Sequence, residues 1–300
     1  MVAPAFDLKE YQEKAIGTLE AIIQLCEREN IRYFIAGGAL IGAVRHQGFV
    51  PWDDDIDICV PRPDYERLLA CAAQLPQPYE ILHAGNDPDY IYPFAKAYDA
   101  STTVTEDFER PFTRGVWVDI FPLDGTFENR LLRKLHFALA RKLIAVLTDQ
   151  QQYYRPPRKA LKRLRKRIKS SIYQRFSKHG VLRLLSRICS IRQYDEAVVV
   201  GPLIAKWGYR ESAPRSFFEQ YTYLPFGHLQ VRAPAGADPW LRQVFGDYMT
   251  PPPEHARKPT HAIGYVNLQQ PYRAQLALPA SSVTSHSSSR AAERKPELVD

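Results

Sequence analysis

The sequence has few cysteines, no long apolar run and no leader-like start, and each absence removes a class of protein. The cysteines form neither a CxxC pair nor a close metal-ligand spacing; they are Cys26, Cys59, Cys71 and Cys189. This pattern predicts reduced thiols. The N-terminus lacks the basic and apolar regions of a signal peptide, and no apolar run reaches the roughly 18 residues of a spanning helix. We therefore expect a cytoplasmic protein.

The composition is that of a globular protein with a substantial core. The chain has 300 residues, of which 45% are hydrophobic and 24% charged. This length accommodates one large domain or two ordinary ones. The formal net charge of +7 favours acidic or phosphate-bearing partners. No internal repeat is visible.

Hydrophobic periodicity predicts alternating helices and strands in the first part of the chain. Apolar residues at helical spacing indicate a helix over residues 8–26, and small residues after Gly37-Gly38 indicate a second helix up to His46. A third helix is expected over 64–75, with Asp64 as its N-cap. Strands are expected at 33–35, 50–60, 90–98 and 116–121, the last ending in a turn over 122–125. Residues 1–125 should therefore form an α/β or α+β core.

The composition changes after residue 125. Residues 126–200 are predicted to form a basic helical segment, in which 155–178 hold eleven Lys or Arg and no acid. An apolar stripe runs through that stretch: Leu161, Leu164, Ile168 and Ile172. The stripe is consistent with a solvated helix packed on the core, with an interfacial helix on anionic lipid, or with a polyanion-binding helix. Residues 201–278 should complete the folded unit, and the Ser-rich residues 279–300 should form a disordered tail.

An unusual group of acids lies in VPWDDDIDI, residues 50–58. If the strand begins near Asp54, alternation places Asp55 and Asp57 on one face, about 7 Å apart, with Asp53 beside them and Asp54 on the other face. Two carboxylates beside a core are unfavourable unless a cation neutralises them. An oxygen-only site of this kind suits Mg²⁺ or Mn²⁺. The alternative is a solvated acidic turn before the strand.

The segment upstream strengthens the metal interpretation. A strand, Gly37-Gly38 and a helix would let a substrate phosphate approach backbone amides at the helix N-terminus. This arrangement, followed by an Asp-x-Asp strand, resembles the nucleotidyltransferase superfamily. That resemblance implies a third carboxylate from a later strand, for which Asp119 is the candidate. Asp124 is expected to be a turn residue.

Longer motifs resemble a particular family. GGALIGAVRHQGFVPWDDDIDICVPRPDYERL, starting at Gly37, is similar to the signature of the LicD family, which includes the fukutin-related proteins. Further matching pieces are YPFAKAYDASTTV, VWVDIFPLDG and FGDYMTPPPEHARKPTH. The resemblance is strong over residues 10–125 and looser over 216–262.

The resemblance implies a nucleotidyltransferase-like core. Together with the patterns above, it predicts an α+β fold: a nucleotidyltransferase-like mixed sheet with flanking helices, a helical basic middle segment and a small C-terminal segment. It also implies a metal-dependent transferase that moves a phospho-alcohol, such as phosphocholine, ribitol phosphate or glycerol phosphate, from a CDP-activated donor to a glycan hydroxyl and releases CMP. Asp55, Asp57 and Asp119 would be the ligands of Mg²⁺ or Mn²⁺. Asp53 would be a candidate base or would support the ligands from behind.

Other residues are candidates for substrate binding beside Gly37 and Gly38. Lys96 and Arg45 could contact phosphates, the alternative for each being an ordinary surface ion pair. His46 and His261 match motif positions and suit either a structural or a catalytic role. The expected partners are the CDP-alcohol and a glycan or lipid-linked glycan, with peripheral contact to anionic membrane at the inner face through 155–178 and no nucleic acid.

Two other functions remain open. A nucleotidyltransferase that joins a nucleoside monophosphate from an NTP to a small-molecule acceptor would use the same three carboxylates. A non-catalytic protein would bind membrane or nucleic acid through its basic segment, but it would leave the acidic strand and the third carboxylate without a purpose. The nature of the alcohol and of the acceptor cannot be derived from any motif in the sequence.

Overall fold

The computed structural model describes residues 6–108, 110–150 and 171–277, and its centre is a mixed β-sheet. Ten strands lie in the described part: β1 (Phe34–Ala36), β2 (Asp57–Pro61), β3 (Tyr79–Leu82), β4 (Ala95–Glu106), β5 (Phe112–Thr126), β6 (Val199–Gly201), β7 (Ala213–Pro214), β8 (Tyr221–Phe226), β9 (Leu229–Pro234) and β10 (Ile263–Asn267). All but β8 and β9 belong to the main sheet, and those two form a separate hairpin.

The main sheet is built around its two longest strands, β4 and β5. Its central order is β1-β2-β5-β4-β10, with β3 also on β4 and with β6 and β7 extending from the end of β5. The pair β2–β5 is parallel, and the other pairs are antiparallel. A mixed sheet with helices on it confirms the predicted α+β class.

Seven α-helices surround the sheet in the described residues: α1 (Leu8–Arg28), α2 (Gly37–His46), α3 (Arg62–Ala70), α4 (Arg130–Gln150), α5 (Lys178–Cys189), α6 (Ala237–Phe245) and α7 (Tyr272–Leu276). Helix α1 begins where the Asp7 carboxylate accepts hydrogen bonds from the amides of Lys9 and Glu10. Its apolar face, including Tyr11, Leu19 and Ile22, is fully buried. Tyr11 meets Trp117 of β5 edge to face, with 6.2 Å between ring centroids.

Two local predictions around β2 were wrong. The strand does not start near Asp54, because residues 53–56 have no regular secondary structure and β2 begins at Asp57. Helix α3 starts at Arg62 after Pro61, so Asp64 lies inside its first turn and is not the N-cap. The buried Asp64 carboxylate instead pairs with the guanidinium groups of Arg32 and Arg67. The strand is shorter than predicted because the preceding acids bond to other parts of the chain.

The predicted turn over 122–125 was also wrong. Strand β5 continues to Thr126, and Asp124 pairs with Gly201 of β6. The Asp124 side chain is fully buried, and it accepts hydrogen bonds from Arg62 Nε at 2.7 Å and Nη2 at 3.0 Å. A paired, buried carboxylate allows the strand to continue where the sequence suggested a solvated turn.

Some predictions fall outside the described residues. The tail 279–300 lies there, as does 155–170 of the predicted basic helical segment, whereas an earlier part of that segment forms α4. Ile172, the last residue of the apolar stripe, is half exposed. No helix within the described ranges has both the length and the hydropathy needed to cross a membrane.

The buried pair of Arg62 and Asp124 yields a stability prediction. Asp124→Ala leaves the Arg62 guanidinium, only 18% exposed, without its carboxylate partner. We expect the free energy of unfolding to fall by about 3 kcal/mol, as for other broken buried pairs. Urea unfolding of the wild type and of Asp124→Ala at neutral pH measures this loss in the free energy of unfolding. The matched control is Glu219→Ala, which breaks the half-exposed pair with Arg215 and should cost no more than about 1 kcal/mol. Equal losses in the two variants would contradict the assignment.

Candidate active site

The register of three adjacent strands places charged side chains side by side. Asp57 of β2 is paired with Asp119 of β5 in the parallel ladder, and Asp119 is paired with Lys96 of β4 in the antiparallel one. Residues paired directly across strands point to the same face, about 5 Å apart. The pairing of Ala36 with Asp57 extends this row to β1, immediately before Gly37.

Gly37 and Gly38 leave room for neighbouring carboxylates at the start of α2. Gly37 has φ +54°, a left-handed conformation that suits glycine, and a Cβ there would overlap Asp57 Oδ2. A Cβ on Gly38 would similarly overlap Asp53 Oδ2. The two glycines therefore let two carboxylates approach the first turn of α2. The sequence predicts that a substrate phosphate approaches the same turn.

Asp55, Asp57 and Asp119 form a compact carboxylate group. Each provides an oxygen, and these oxygens lie within 4.8 Å of one another. Burial raises the pKa of Asp57, and the negative charges of Asp55 and Asp119 raise it further. Burial also raises the pKa of Asp119, although the Lys96 ammonium opposes this shift. The structure thus brings together the three predicted ligands in an arrangement that disfavours their negative charge unless a cation is present.

Lys96 lies inside the site and not at the surface. Its side chain is 1% exposed, and Nζ lies 3.0 Å from Asp119 Oδ1. The ammonium also lies over two aromatic rings, 3.9 Å from the Tyr92 centroid and 4.4 Å from that of Trp117. An ordinary surface ion pair, the alternative considered for Lys96, is therefore wrong. Lys96 is a buried cation that faces the carboxylates.

Asp54 has a structural role that strand alternation did not predict. Its buried carboxylate accepts hydrogen bonds from the backbone amides of Thr260 and His261, and Oδ1 lies 3.1 Å from His261 Nδ1. Burial raises the pKa of Asp54, but the hydrogen bonds and charge of His261 outweigh this and lower it. Asp54 therefore connects the acidic loop to a segment about 200 residues later in the chain.

His261 is held against the carboxylates by this contact. Its Nε2 lies 3.8 Å from Asp55 Oδ2, and its ring meets Trp117 edge to face. Burial lowers the pKa of His261, but the hydrogen bond to Asp54 and the charge of Asp55 raise it to about 9. The imidazole is thus held as a cation, and it reduces the negative charge of the site.

Asp53 occupies the wall beside Gly38. Its backbone carbonyl accepts a hydrogen bond from Gln12 Nε2 at 2.8 Å, which fixes the loop against α1. Burial, together with the charges of Asp55 and Asp54, raises the pKa of Asp53 to about 8. The four predicted catalytic carboxylates, at positions 53, 55, 57 and 119, all line the same cavity.

Arg45 and His46 are placed differently from the other predicted substrate-binding residues. Arg45 Nε donates to His46 Nε2 at 2.9 Å, and its guanidinium also donates to the carbonyl of Tyr248. The His46 ring lies 6.4 Å from that of Trp52. Neither side chain is among the described residues that line the cavity, whereas Gly37, Gly38, Lys96 and His261 are.

The cavity has a volume of about 590 Å³ and two chemically distinct ends. The carboxylates, Lys96 and His261 form one end. Most of the remaining lining is apolar or aromatic, and α4, α6 and the loop before Gly208 supply much of it: Ile144, Leu147, Pro202, Trp207, Trp240, Leu241 and Phe245. A cavity of this size accommodates a nucleotide-sized ligand. Its polar end would receive charged groups, and its apolar walls would cover the remainder.

Glu211 is a cavity residue that the sequence analysis missed. It is 7% exposed, and Oε1 accepts a hydrogen bond from the Trp207 amide at 2.9 Å. Burial raises the pKa of Glu211 from 4.5 to about 8, although the Trp207 hydrogen bond opposes this. Its surroundings in the sequence, WGYRES, show no distinctive spacing of acids, so only the fold reveals its position.

The pKa of Glu211 predicts a pH-dependent change in stability. The folded protein holds this proton more tightly than the unfolded chain, so stability falls as pH rises from about 4.5 to about 8. Glu211→Gln keeps the acceptor for Trp207 and removes the ionisation. We expect the variant to match the wild type near pH 4 and to exceed it by at least about 1 kcal/mol near pH 8.5.

Urea unfolding at several pH values measures the difference between wild type and Glu211→Gln. The control is Glu219→Gln at a half-exposed position, for which the difference should change little with pH. A constant difference between Glu211→Gln and the wild type across the pH range would contradict the prediction.

Comparisons with known proteins agree with the geometry. The family model described as LicD/FKTN/FKRP, nucleotidyltransferase domain, matches residues 30–144. This span includes the glycine pair, the acidic loop, Lys96 and Asp119. It ends before Glu211 and His261, which reach the site from later parts of the chain.

Several curated proteins are similar to the chain. Lipopolysaccharide cholinephosphotransferase LicD of Haemophilus influenzae is 28% identical over 260 residues, which cover 85% of this chain and 96% of that protein. An uncharacterized protein of Rickettsia typhi is 43% identical over 119 residues, 38% of this chain and 36% of the relative. Human ribitol 5-phosphate transferase FKRP is 39% identical over 51 residues, 17% of this chain and 9% of the relative. With this domain match over residues 30–144 and a similarity that spans most of one relative, the chain is a homologue of the LicD phosphotransferases.

Proposed function

We propose that this protein transfers a phospho-alcohol from a CDP-activated donor to a glycan hydroxyl and releases CMP. The observation that carries the proposal is the group formed by Asp55, Asp57 and Asp119, with Lys96 beside it, at one end of a cavity of nucleotide size. Two similar proteins are named for the transfer of phosphocholine and of ribitol 5-phosphate. Their names support a phospho-alcohol as the transferred group.

The proposed cofactor is Mg²⁺ or Mn²⁺, held by the three carboxylates. The donor set fits such an ion, because carboxylate oxygens are hard ligands and the three oxygens lie within 4.8 Å of one another. The pKa values of Asp57 and Asp119 are raised because burial and the neighbouring acids disfavour their charged forms, and a bound cation would favour those forms. When bound, the ion would neutralise charge on the donor diphosphate.

The residues of the chain would orient the reacting groups. The acceptor hydroxyl oxygen bonds to the phosphorus that carries the alcohol, and the bond from that phosphorus to the CMP phosphate breaks. Asp53 in its ionised form is the proposed acceptor of the hydroxyl proton, because its side chain lies beside Gly38 in the cavity wall. Lys96 and the His261 cation would balance the carboxylates, so that a doubly charged diphosphate could enter.

The reaction predicts CMP release that depends on a divalent cation. Asp55→Ala and Asp57→Ala should each lower the rate by more than about a hundredfold, since each removes an anionic ligand. CDP-choline, CDP-ribitol and CDP-glycerol are tested as donors, each with a glycan acceptor, and CMP is quantified by chromatography. Asp195→Ala removes an acid that is 60% exposed and outside the cavity lining, and it should keep full activity.

Two outcomes would contradict this proposal. Full CMP release by Asp55→Ala or Asp57→Ala would show that the substituted carboxylate is not needed for the reaction. Pyrophosphate release from an NTP, with no CMP from any CDP-alcohol, would favour the nucleotidyltransferase that joins a nucleoside monophosphate to a small-molecule acceptor. The same chromatographic assay separates the products.

Binding of the cation can be measured without the reaction. Mn²⁺ in large excess should raise the midpoint of thermal unfolding by several degrees, since a ligand at about a hundred times its Kd adds about 2.7 kcal/mol of stability. Asp57→Asn should lose this increase, and Asp195→Asn should keep it. The same Mn²⁺-induced increase in Asp57→Asn would show that the ion binds elsewhere. Ca²⁺ serves as a comparison for selectivity.

A further inference from the structure

Helix α4 carries a row of leucines on its solvent side. Leu131, Leu135 and Leu139 are 76%, 55% and 38% exposed, and Leu132 beside them is 49% exposed. The first three recur at intervals of four, so they lie above one another on one helical face. Helix α5 adds the half-exposed Leu184, and the half-exposed Ile191 follows two residues after its end. We call these six side chains the leucine surface.

This surface is separate from the face by which α4 packs on the protein. Phe137, Ala140 and Leu147 are buried, and α4 also supplies Ile144, Leu147 and Thr148 to the cavity wall. These residues lie about half a turn away from the exposed leucines. The opposite side of α4 packs on the protein, so the exposed leucines are not part of the hydrophobic core.

Helices α4 and α5 pack side by side. The His136 Nε2 of α4 lies 2.6 Å from the carbonyl oxygen of Ile188, near the end of α5, and Val181, Leu185 and Cys189 of α5 belong to the same hydrophobic cluster as Phe137. Leu184 therefore lies on the helix that packs against α4, and Ile191 lies just after that helix.

The two segments that carry the exposed leucines are rich in positive charge. Residues 130–148 contain five cations and no acid, and residues 178–192 contain four cations and no acid; the nine are Arg130, Arg133, Lys134, Arg141, Lys142, Lys178, Arg183, Arg187 and Arg192. Exposed leucines among cations are the pattern of protein surfaces that lie on anionic lipid, where apolar groups enter the acyl boundary and cations meet phosphates.

We propose that the leucine surface docks this protein onto an anionic lipid bilayer. A second copy of the chain is disfavoured, because pairing through this surface would bring the cations of two basic helices together. Residues 151–170 contain nine Lys or Arg and no acid. Repulsion between like charges therefore also disfavours this segment as the occupant of the leucine surface. A nucleic acid would use the cations and leave the leucines in water.

Docking would set the orientation of the cavity. The exposed leucines occupy the first half of α4, and the second half of the same helix forms part of the cavity wall. The active site would therefore be held close to the bilayer, where a lipid-linked acceptor is found. This consequence rests on the proposed function, whereas the docking itself does not.

Vesicle sedimentation with the full chain tests the proposal. The wild type should bind vesicles of phosphatidylcholine with about 30% phosphatidylglycerol more tightly than vesicles of phosphatidylcholine alone. The variant Leu131→Gln/Leu135→Gln/Leu139→Gln should bind the anionic vesicles at least about tenfold less tightly. Leu276→Gln, at a 55% exposed leucine on α7, should bind as the wild type does. Circular dichroism and the midpoint of thermal unfolding report on folding.

A second variant separates charge from apolar contact. Arg183→Gln/Arg187→Gln keeps every leucine, and it should weaken binding to anionic vesicles while leaving binding to neutral ones unchanged. Wild-type affinity for anionic vesicles in the triple-leucine variant would overturn the proposal, as would failure of the wild type to bind them. Loss of a wild-type dimer in that variant, or loss of binding to a short RNA without loss of vesicle binding, would assign the surface to another partner.

Discussion

The parallel pairing of β2 with β5 is the constraint on which the candidate active site depends. This register sets Asp57 beside Asp119, and the antiparallel pairing of β5 with β4 sets Asp119 beside Lys96. A shift of one residue in either ladder would turn one of these side chains to the opposite face of the sheet. The apolar residues between them hold the register, because Ile58, Val118 and Ile120 are fully buried in the core. The strand register therefore determines both the packing of the core and the positions of the charged side chains in the candidate site.

Electrostatic balance explains why distant segments converge on this sheet. The clustered carboxylates raise one another's pKa values, and buried cations moderate the effect. Lys96 supplies one positive charge from a neighbouring strand. His261 supplies another from near the end of the described chain, and Asp54 holds it in place. The loop before β2 is thus irregular because its alternate acids serve different partners, one binding a later segment and the others facing the cavity.

Helix α4 connects the site with the outer surface of the protein. One side of its second half contributes Ile144, Leu147 and Thr148 to the cavity, and its first half exposes leucines among cations. A helix with two apolar faces costs solubility when one of them remains in water. Contact with a bilayer offers a physical reason for that face, since it would bury the leucines and pair the surrounding cations with lipid phosphates. The same contact would bring the reaction close to acceptors carried by lipid.

The sequence by itself determined the α+β class, the long first helix, the strand–Gly-Gly–helix unit and the carboxylates at 53, 55, 57 and 119, because periodicity and short motifs are local properties. It did not determine that Asp124 is buried against Arg62, that Asp54 binds His261, or that Glu211 lines the cavity. These contacts join residues far apart in the chain, and an isolated acid has the same local appearance whether it is solvated or buried. Only the tertiary structure shows these contacts, because pairing between distant segments determines which carboxylates are buried and which cations pair with them.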